Sequence, residues 1–231
     1  MKATIDRNKL NMLAQLSNLG SISGLVLLLG SVLLPLFKPK LANYSLLLMI
    51  LGLGVAMVGI YYANRWVRKP RPEDVLDKAL KSLTDTYHLY HYPALPCDHV
   101  LLTPTGVVLL ETVSLSGLFS YKEGHWKENM TIGRALRYIV EEHLGNPIRA
   151  TRQTERYLQN RIQKELPLEV TIPVRSIIVF THPVVELEII DAPIPVCMAE
   201  KLRKLVASDA PKLGEDVYER LETYFEGLTR K

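Results

Sequence analysis

Asp98 and Glu111 are the two acids in this chain whose setting best suits chemistry. Asp98 opens the strand-like run Asp98-His99-Val100-Leu101-Leu102. Glu111 lies near the end of the next run, Val107-Val108-Leu109-Leu110-Glu111-Thr112-Val113, after the turn Thr103-Pro104-Thr105-Gly106. Antiparallel pairing across that turn brings the two carboxylates together at one end of a sheet. Two acids so placed can hold a hard divalent cation such as Mg²⁺, which polarises a phosphate and activates water. The same spacing also fits a plainer arrangement, with Asp98 capping a turn and Glu111 pairing with a neighbouring base, and spacing alone leaves both open.

The remaining reactive residue types point elsewhere. Cys97 and Cys197 lie in no Cys-x-x-Cys or Cys/His array, so they read as inert thiols. His88 and His91 form an H-x-x-H, but in a strand-like stretch their side chains point to opposite faces, which argues against a shared metal. The chain contains no Walker A, G-x-G-x-x-G, G-x-S-x-G or H-E-x-x-H pattern.

The elements that would position the acids follow from periodicity. Residues 73–86 carry Val75, Leu76, Ala79, Leu80 and Leu83 at helical spacing. Tyr87-His88-Leu89-Tyr90 reads as a strand ahead of the hairpin, and a shorter strand is expected over 119–122. Residues 149–166 read as a helix with Tyr157, Leu158 and Ile162 on one side. The apolar run 175–181 is expected in the middle of a sheet, with 186–190 pairing to it or lying near an edge. Two closing helices are expected over 198–207 and 215–228. This alternation predicts an α/β domain of about 160 residues.

The first third of the chain is of another kind. Residues 19–37 and 41–63 are free of charge. As helices they would be roughly 28 and 34 Å long, against a hydrocarbon core of roughly 30 Å. The connector Lys38-Pro39-Lys40 is short enough for a tight hairpin. The chain has 231 residues and a formal net charge of +4, all of it accounted for by residues 1–63, and residues 72–231 carry −4. Three basic residues precede the first run and Arg65, Arg68, Lys69 and Arg71 follow the second, so the positive-inside rule places both ends in the cytoplasm. Tyr61, Tyr62 and Trp66 sit where an aromatic belt would. Gly20 and Gly24 fit close helix packing within the chain, with a role in dimerisation as the alternative. Neither run carries an ionisable residue, which argues against transport. The organisation expected is a two-span transmembrane hairpin at 1–66, a basic, proline-containing linker at 67–72 and a cytosolic domain at 73–231.

Taken in order, several features of this domain resemble the nuclease-related domain (NERD) family, a branch of the restriction-endonuclease-like PD-(D/E)xK fold. These are Glu73 and its helix, Cys97-Asp98-His99-Val100, the run from Thr103 to Thr112 through Gly106 and Glu111, Ser116-Gly117, Trp126, Asn146-Pro147 and Ile177-Ile178-Val179-Phe180. The resemblance covers about 73–206 and implies a mixed central sheet. It implies metal ligands at Asp98 and Glu111, with Glu73 as a supporting acid. It also implies a lysine two residues after the glutamate, where an ammonium orients water or stabilises charge on the phosphate. This chain has Val113 there, and Ala150 where the family carries a glutamine three residues after the Asn-Pro proline. Lys122 or Lys127 would be the substitute base, and Gln153 the substitute amide. Arg149, Arg152 and Arg156 share one helical face, next to Glu155, and read as a solvated face.

The expectation is a membrane-anchored NERD-like protein with a degenerate site. Its partners would be the lipid bilayer and a cytoplasmic protein, with nucleic acid disfavoured by the domain's acidic balance. The alternative is an active Mg²⁺-dependent endonuclease using Asp98, Glu111, Glu73 and Lys122. A structural or sensory membrane protein in which the hairpin does the recognition is a third reading.

Overall fold

The structure is a computed structural model and describes residues 1–67, 69–129, 144–166 and 171–229, so Arg68 of the basic flank lies outside it. The chain forms two compact units. One comprises Met1–Asp6 with Pro72–Asn129 and Leu144–Lys231, and the other contains Arg7–Arg71.

The larger unit is mixed α/β. Its main sheet has six strands in the order β1 (Lys2–Ile5), β2 (His88–His91), β3 (His99–Thr103), β4 (Gly106–Val113), β7 (Val174–Phe180), β9 (Val196–Met198). The meander β2-β3-β4 is antiparallel, while the pairs β1-β2, β4-β7 and β7-β9 are parallel. A second sheet has β5 (Gly117–Lys122) between β6 (His125–Glu128) and β8 (Val185–Ile189). The expected run 186–190 thus pairs with β5 at the edge of this second sheet, not with β7.

Helices cover both faces of the main sheet. On one face, Leu76 and Leu80 of α3 (Pro72–Leu80) and Leu202 and Val206 of α5 (Ala199–Val206) pack against Leu89, Leu101, Val108 and Leu110. On the other, Leu158 and Ile162 of α4 (Pro147–Glu165) and Val217, Leu221 and Phe225 of α6 (Glu215–Thr229) pack against Tyr90, Val100, Leu102 and Leu109. Burial on both sides explains why β4 and β7 read as nearly continuous apolar runs. A third cluster, including Val113, Ile148, Ile178, Phe119 and Phe180, joins the C-terminal ends of β4 and β7 to the second sheet.

Local chemistry sets the key turns. Gly106 closes the β3-β4 turn at φ +144°, and a Cβ there would lie 2.4 Å from the Pro173 carbonyl oxygen. The start of α4 is capped by the Asn146 side chain, which accepts from the Arg149 amide at 3.0 Å, with Pro147 in the first turn. The buried stripe of α4 runs Ile148, Thr151, Leu158, Ile162. Tyr157, expected on that side, is 46% exposed because it lies about 100° around the helix from Leu158. Helix α3 ends at Leu80, short of the expected Thr86.

The second unit is a pair of helices, α1 (Arg7–Phe37) and α2 (Ser45–Trp66), joined by a 3₁₀ turn over Pro39–Tyr44. Leu10–Phe37 and Pro39–Trp66, 28 residues each, are long and apolar enough to cross a membrane. Their packing uses the glycines. A Cβ on Gly24 would lie 2.5 Å from the Ala56 amide nitrogen, and one on Gly59 would lie 2.3 Å from that of Ser21. Gly20 and Gly24 thus face α2 within the same chain. Ser17, Ser21, Ser23 and Ser31 donate to carbonyls of their own helix, which satisfies hydroxyls on otherwise apolar helices. Leu19, Ile22, Val26, Leu29, Leu47 and Ile50 are exposed.

Candidate functional site

The register of the β3-β4 hairpin ends with His99 opposite Leu110, and Asp98 and Glu111 are the residues that adjoin this last pair. Strand alternation puts Glu111 on the face of β4 that carries Val107 and Leu109, and Asp98 immediately precedes β3. Both are half-buried. The neighbouring thiol registers both charges. Burial pushes Cys97 up to about 12, and Asp98 and Glu111 push it in the same direction. Cys97 therefore stays protonated and is no nucleophile. Cys197 is likewise buried and pushed up to about 11.

Glu73 lies in the first turn of α3, only 3% exposed. Its Oε2 accepts a hydrogen bond from the Tyr92 hydroxyl at 2.7 Å. Tyr92 takes a left-handed backbone (φ 55°), and its amide donates to the Asp98 carbonyl at 2.6 Å. One residue thus ties Glu73 to the strand that carries Asp98. Sequence reasoning missed Tyr92, because a left-handed tyrosine leaves no mark in composition or period.

The position of the family lysine is apolar. Val113 shares the Glu111 face and is 9% exposed, in the cluster with Leu115, Ile148, Ile178 and Phe180. Ala150 and Gln153 are exposed on α4, whereas Thr151 between them is fully buried. Its Oγ1 has no hydrogen-bond partner among the described residues. Lys122 stands on β5, in the second sheet, with its ammonium 3.8 Å from Glu123. Lys127 is exposed on β6. Carboxylates such as Asp98 and Glu111 are oxygen donors of the kind a hard cation takes, and the side chain two residues after Glu111 is aliphatic.

The arginines of α4 divide. Arg149, Arg152 and Arg156 are exposed, while Arg161 donates to Glu165 at 3.0 Å and to the Ala94 carbonyl at 3.1 Å. The two histidines of the H-x-x-H lie on opposite faces. His88 meets Glu222 of α6 at 3.1 Å. His91 meets Asp77 of α3 at 3.2 Å and His99 at 2.8 Å.

Residues 71–181 match the family model of the nuclease-related domain. No curated protein and no solved structure matches the chain. The matched stretch takes in α3, the β2-β3-β4 meander, α4 and β7, and includes Asp98, Glu111, Val113 and Ala150. The chain carries a nuclease-related domain, NERD, at residues 71–181.

Proposed function

We propose that this protein is a membrane-anchored nuclease-related module that has lost phosphodiester cleavage and serves to bind or scaffold a protein partner at the cytoplasmic face. The observation that carries the silent site is Val113. A lysine at that position would set its ammonium beside Glu111, and the cluster of Leu115, Ile148, Ile178 and Phe180 offers that position apolar neighbours. Without that amine, the acid pair keeps its capacity for a cation such as Mg²⁺ and lacks the group that positions water or meets charge on the phosphate. The net charge of −4 over residues 72–231 supports a protein partner over a duplex, since phosphate contacts dominate nucleic-acid affinity.

Anchoring is supported by the two long apolar helices and by where the chain resumes after them. β1 precedes α1 and α3 follows α2, and both belong to the same compact unit, with β1 paired to β2. Two crossings return a chain to the side it left. Basic residues flanking the helices favour that side being the cytoplasm.

The placing of Asp98 and Glu111 beside the last pair of the hairpin register favours a second reading, an active Mg²⁺-dependent endonuclease with Glu73 assisting and Lys122 as the substitute base. Binding of a labelled duplex, followed by fluorescence anisotropy against salt, separates the two. The scaffold reading predicts no saturable binding near physiological salt. Tight binding with a steep salt slope would overturn it. Replacing residues 7–66 by a flexible linker keeps β1, and this version is expected in the soluble fraction; membrane retention would refute the anchor.

A further inference from the structure

A second polar centre lies away from Asp98 and Glu111, where β1, β2 and α6 meet. His88 is 3% exposed in the middle of this centre. Thr4 Oγ1 lies 2.8 Å from its Nε2, and Glu222 Oε1 lies 3.1 Å from its Nδ1. The Tyr90 hydroxyl is also 3.0 Å from Nδ1. Glu226, one turn further along α6, adds a second carboxylate. One ligand atom from each of His88, Glu222 and Glu226 lies within 4.8 Å of the others. Among the described residues this is the group of three His, Cys, Asp or Glu side chains gathered so closely.

We propose that His88, Glu222 and Glu226 bind a divalent transition-metal ion of the Zn²⁺ class through His88 Nδ1 and one oxygen from each glutamate. One imidazole with two carboxylates is a borderline donor set, better matched to Zn²⁺ than to the harder Mg²⁺. Tetrahedral bonds of about 2.0–2.1 Å place neighbouring ligand atoms roughly 3.3 Å apart. The 3.1 Å between His88 Nδ1 and Glu222 Oε1 already has that spacing, and Glu226 brings a ligand oxygen within 4.8 Å of the other two ligand atoms. Thr4 Oγ1 is placed to accept a proton from Nε2, and the tautomer that donates there turns the Nδ1 lone pair toward the glutamates.

Lys2 is the resident cation. Its ammonium lies 3.3 Å from Glu222 Oε1 on a side chain that is 57% exposed, so it can swing into water when an ion arrives. A bound ion would link β2 to α6, with β1 held to the site through Thr4.

The test uses the full chain in detergent micelles, in an Asp98→Asn/Glu111→Gln background that silences the other acid pair. Zn²⁺ affinity is read by competition with a chromophoric chelator, and the coordination by the visible spectrum of the Co²⁺ form. Expected are one saturable site, intense bands of four-coordinate Co²⁺, at least tenfold weaker binding in Glu226→Gln, and several-fold tighter binding in Lys2→Met. Glu226 is partly exposed, so its variant tests the site without a core defect. No binding in the background, or affinities unchanged in both Glu226→Gln and Lys2→Met, would overturn the proposal.

Discussion

Replacing Val113 by lysine introduces the residue type that the family resemblance implies at this position, and the cost of doing so tests whether the position is apolar. Val113 is 9% exposed, and burying a side chain of this kind stabilises by about 1.5–3 kcal/mol. A lysine stem keeps part of that contact, but its extra length must be fitted among Leu115, Ile148, Ile178 and Phe180, and overpacking costs about 1–3 kcal/mol. Glu111, two residues back on the same face, returns some of this as an ion pair. The net expectation is a loss of about 2 kcal/mol, which for a domain of this size lowers Tm by about 4–8 °C. Melting of the full chain in detergent reports it, with Trp126 as an internal probe whose ring lies 6.2 Å from that of Phe180 in the same cluster. Val113→Ile should stay within about 1 kcal/mol of the parent. A Val113→Lys protein as stable as the parent, or more so, would mean that a polar seat for the ammonium persists, and the reasoning from apolar surroundings would fail.

Three further outcomes follow from packing and titration. Gly59→Leu, whose first added carbon would meet the Ser21 backbone at 2.3 Å, should destabilise the α1-α2 pair by about 1–3 kcal/mol, followed by Trp66 fluorescence on heating. Gly54→Leu, with nothing within 4 Å, should not. Thr151→Val removes a fully buried hydroxyl that has no partner among the described residues, and should raise stability by about 1 kcal/mol on denaturant titration. Burial holds His88 below its ordinary pKa of 6.5, and the Glu222 hydrogen bond offsets part of this. The neutral ring is therefore the folded form. Its contribution is present above about pH 6.5 and is lost as pH falls toward the folded value. Melting with chelator present should show Tm falling below pH 6.5, with the slope reduced in His88→Asn. Glu222, which burial raises but His88 and Lys2 together lower further, contributes in a separate window below about pH 4.5.

The β3-β4 hairpin was readable because its information is local. Apolar runs flank a turn whose Gly106 must take a positive φ against Pro173, and the register that pairs His99 with Leu110 follows from it. The hairpin also brings Asp98 and Glu111 next to its last pair, His99 and Leu110. What escaped was non-local. β1 is four residues directly ahead of a long helix, and its partner β2 lies on the far side of both apolar helices. β9 has three residues and depends on β7 for its existence. β8 reads Val-Glu-Leu-Glu-Ile, an alternation that announces one buried face and says nothing about which strand lies beside it. The opposite facing of His88 and His91 on one strand argues against a metal shared between them and says nothing of partners from elsewhere in the chain. The companions of His88, Thr4, Glu222 and Glu226, come from the two ends of the chain.

The most direct measurement is cleavage by the full chain reconstituted in lipid nanodiscs. Single- and double-stranded DNA would be incubated under single-turnover conditions with Mg²⁺ or Mn²⁺, beside Glu111→Gln. With Val113 filling the lysine position, no cleavage above the Glu111→Gln background is predicted with either metal. Metal-dependent cleavage that disappears in Glu111→Gln would contradict the account and make Asp98 and Glu111 the working ligands of a live nuclease.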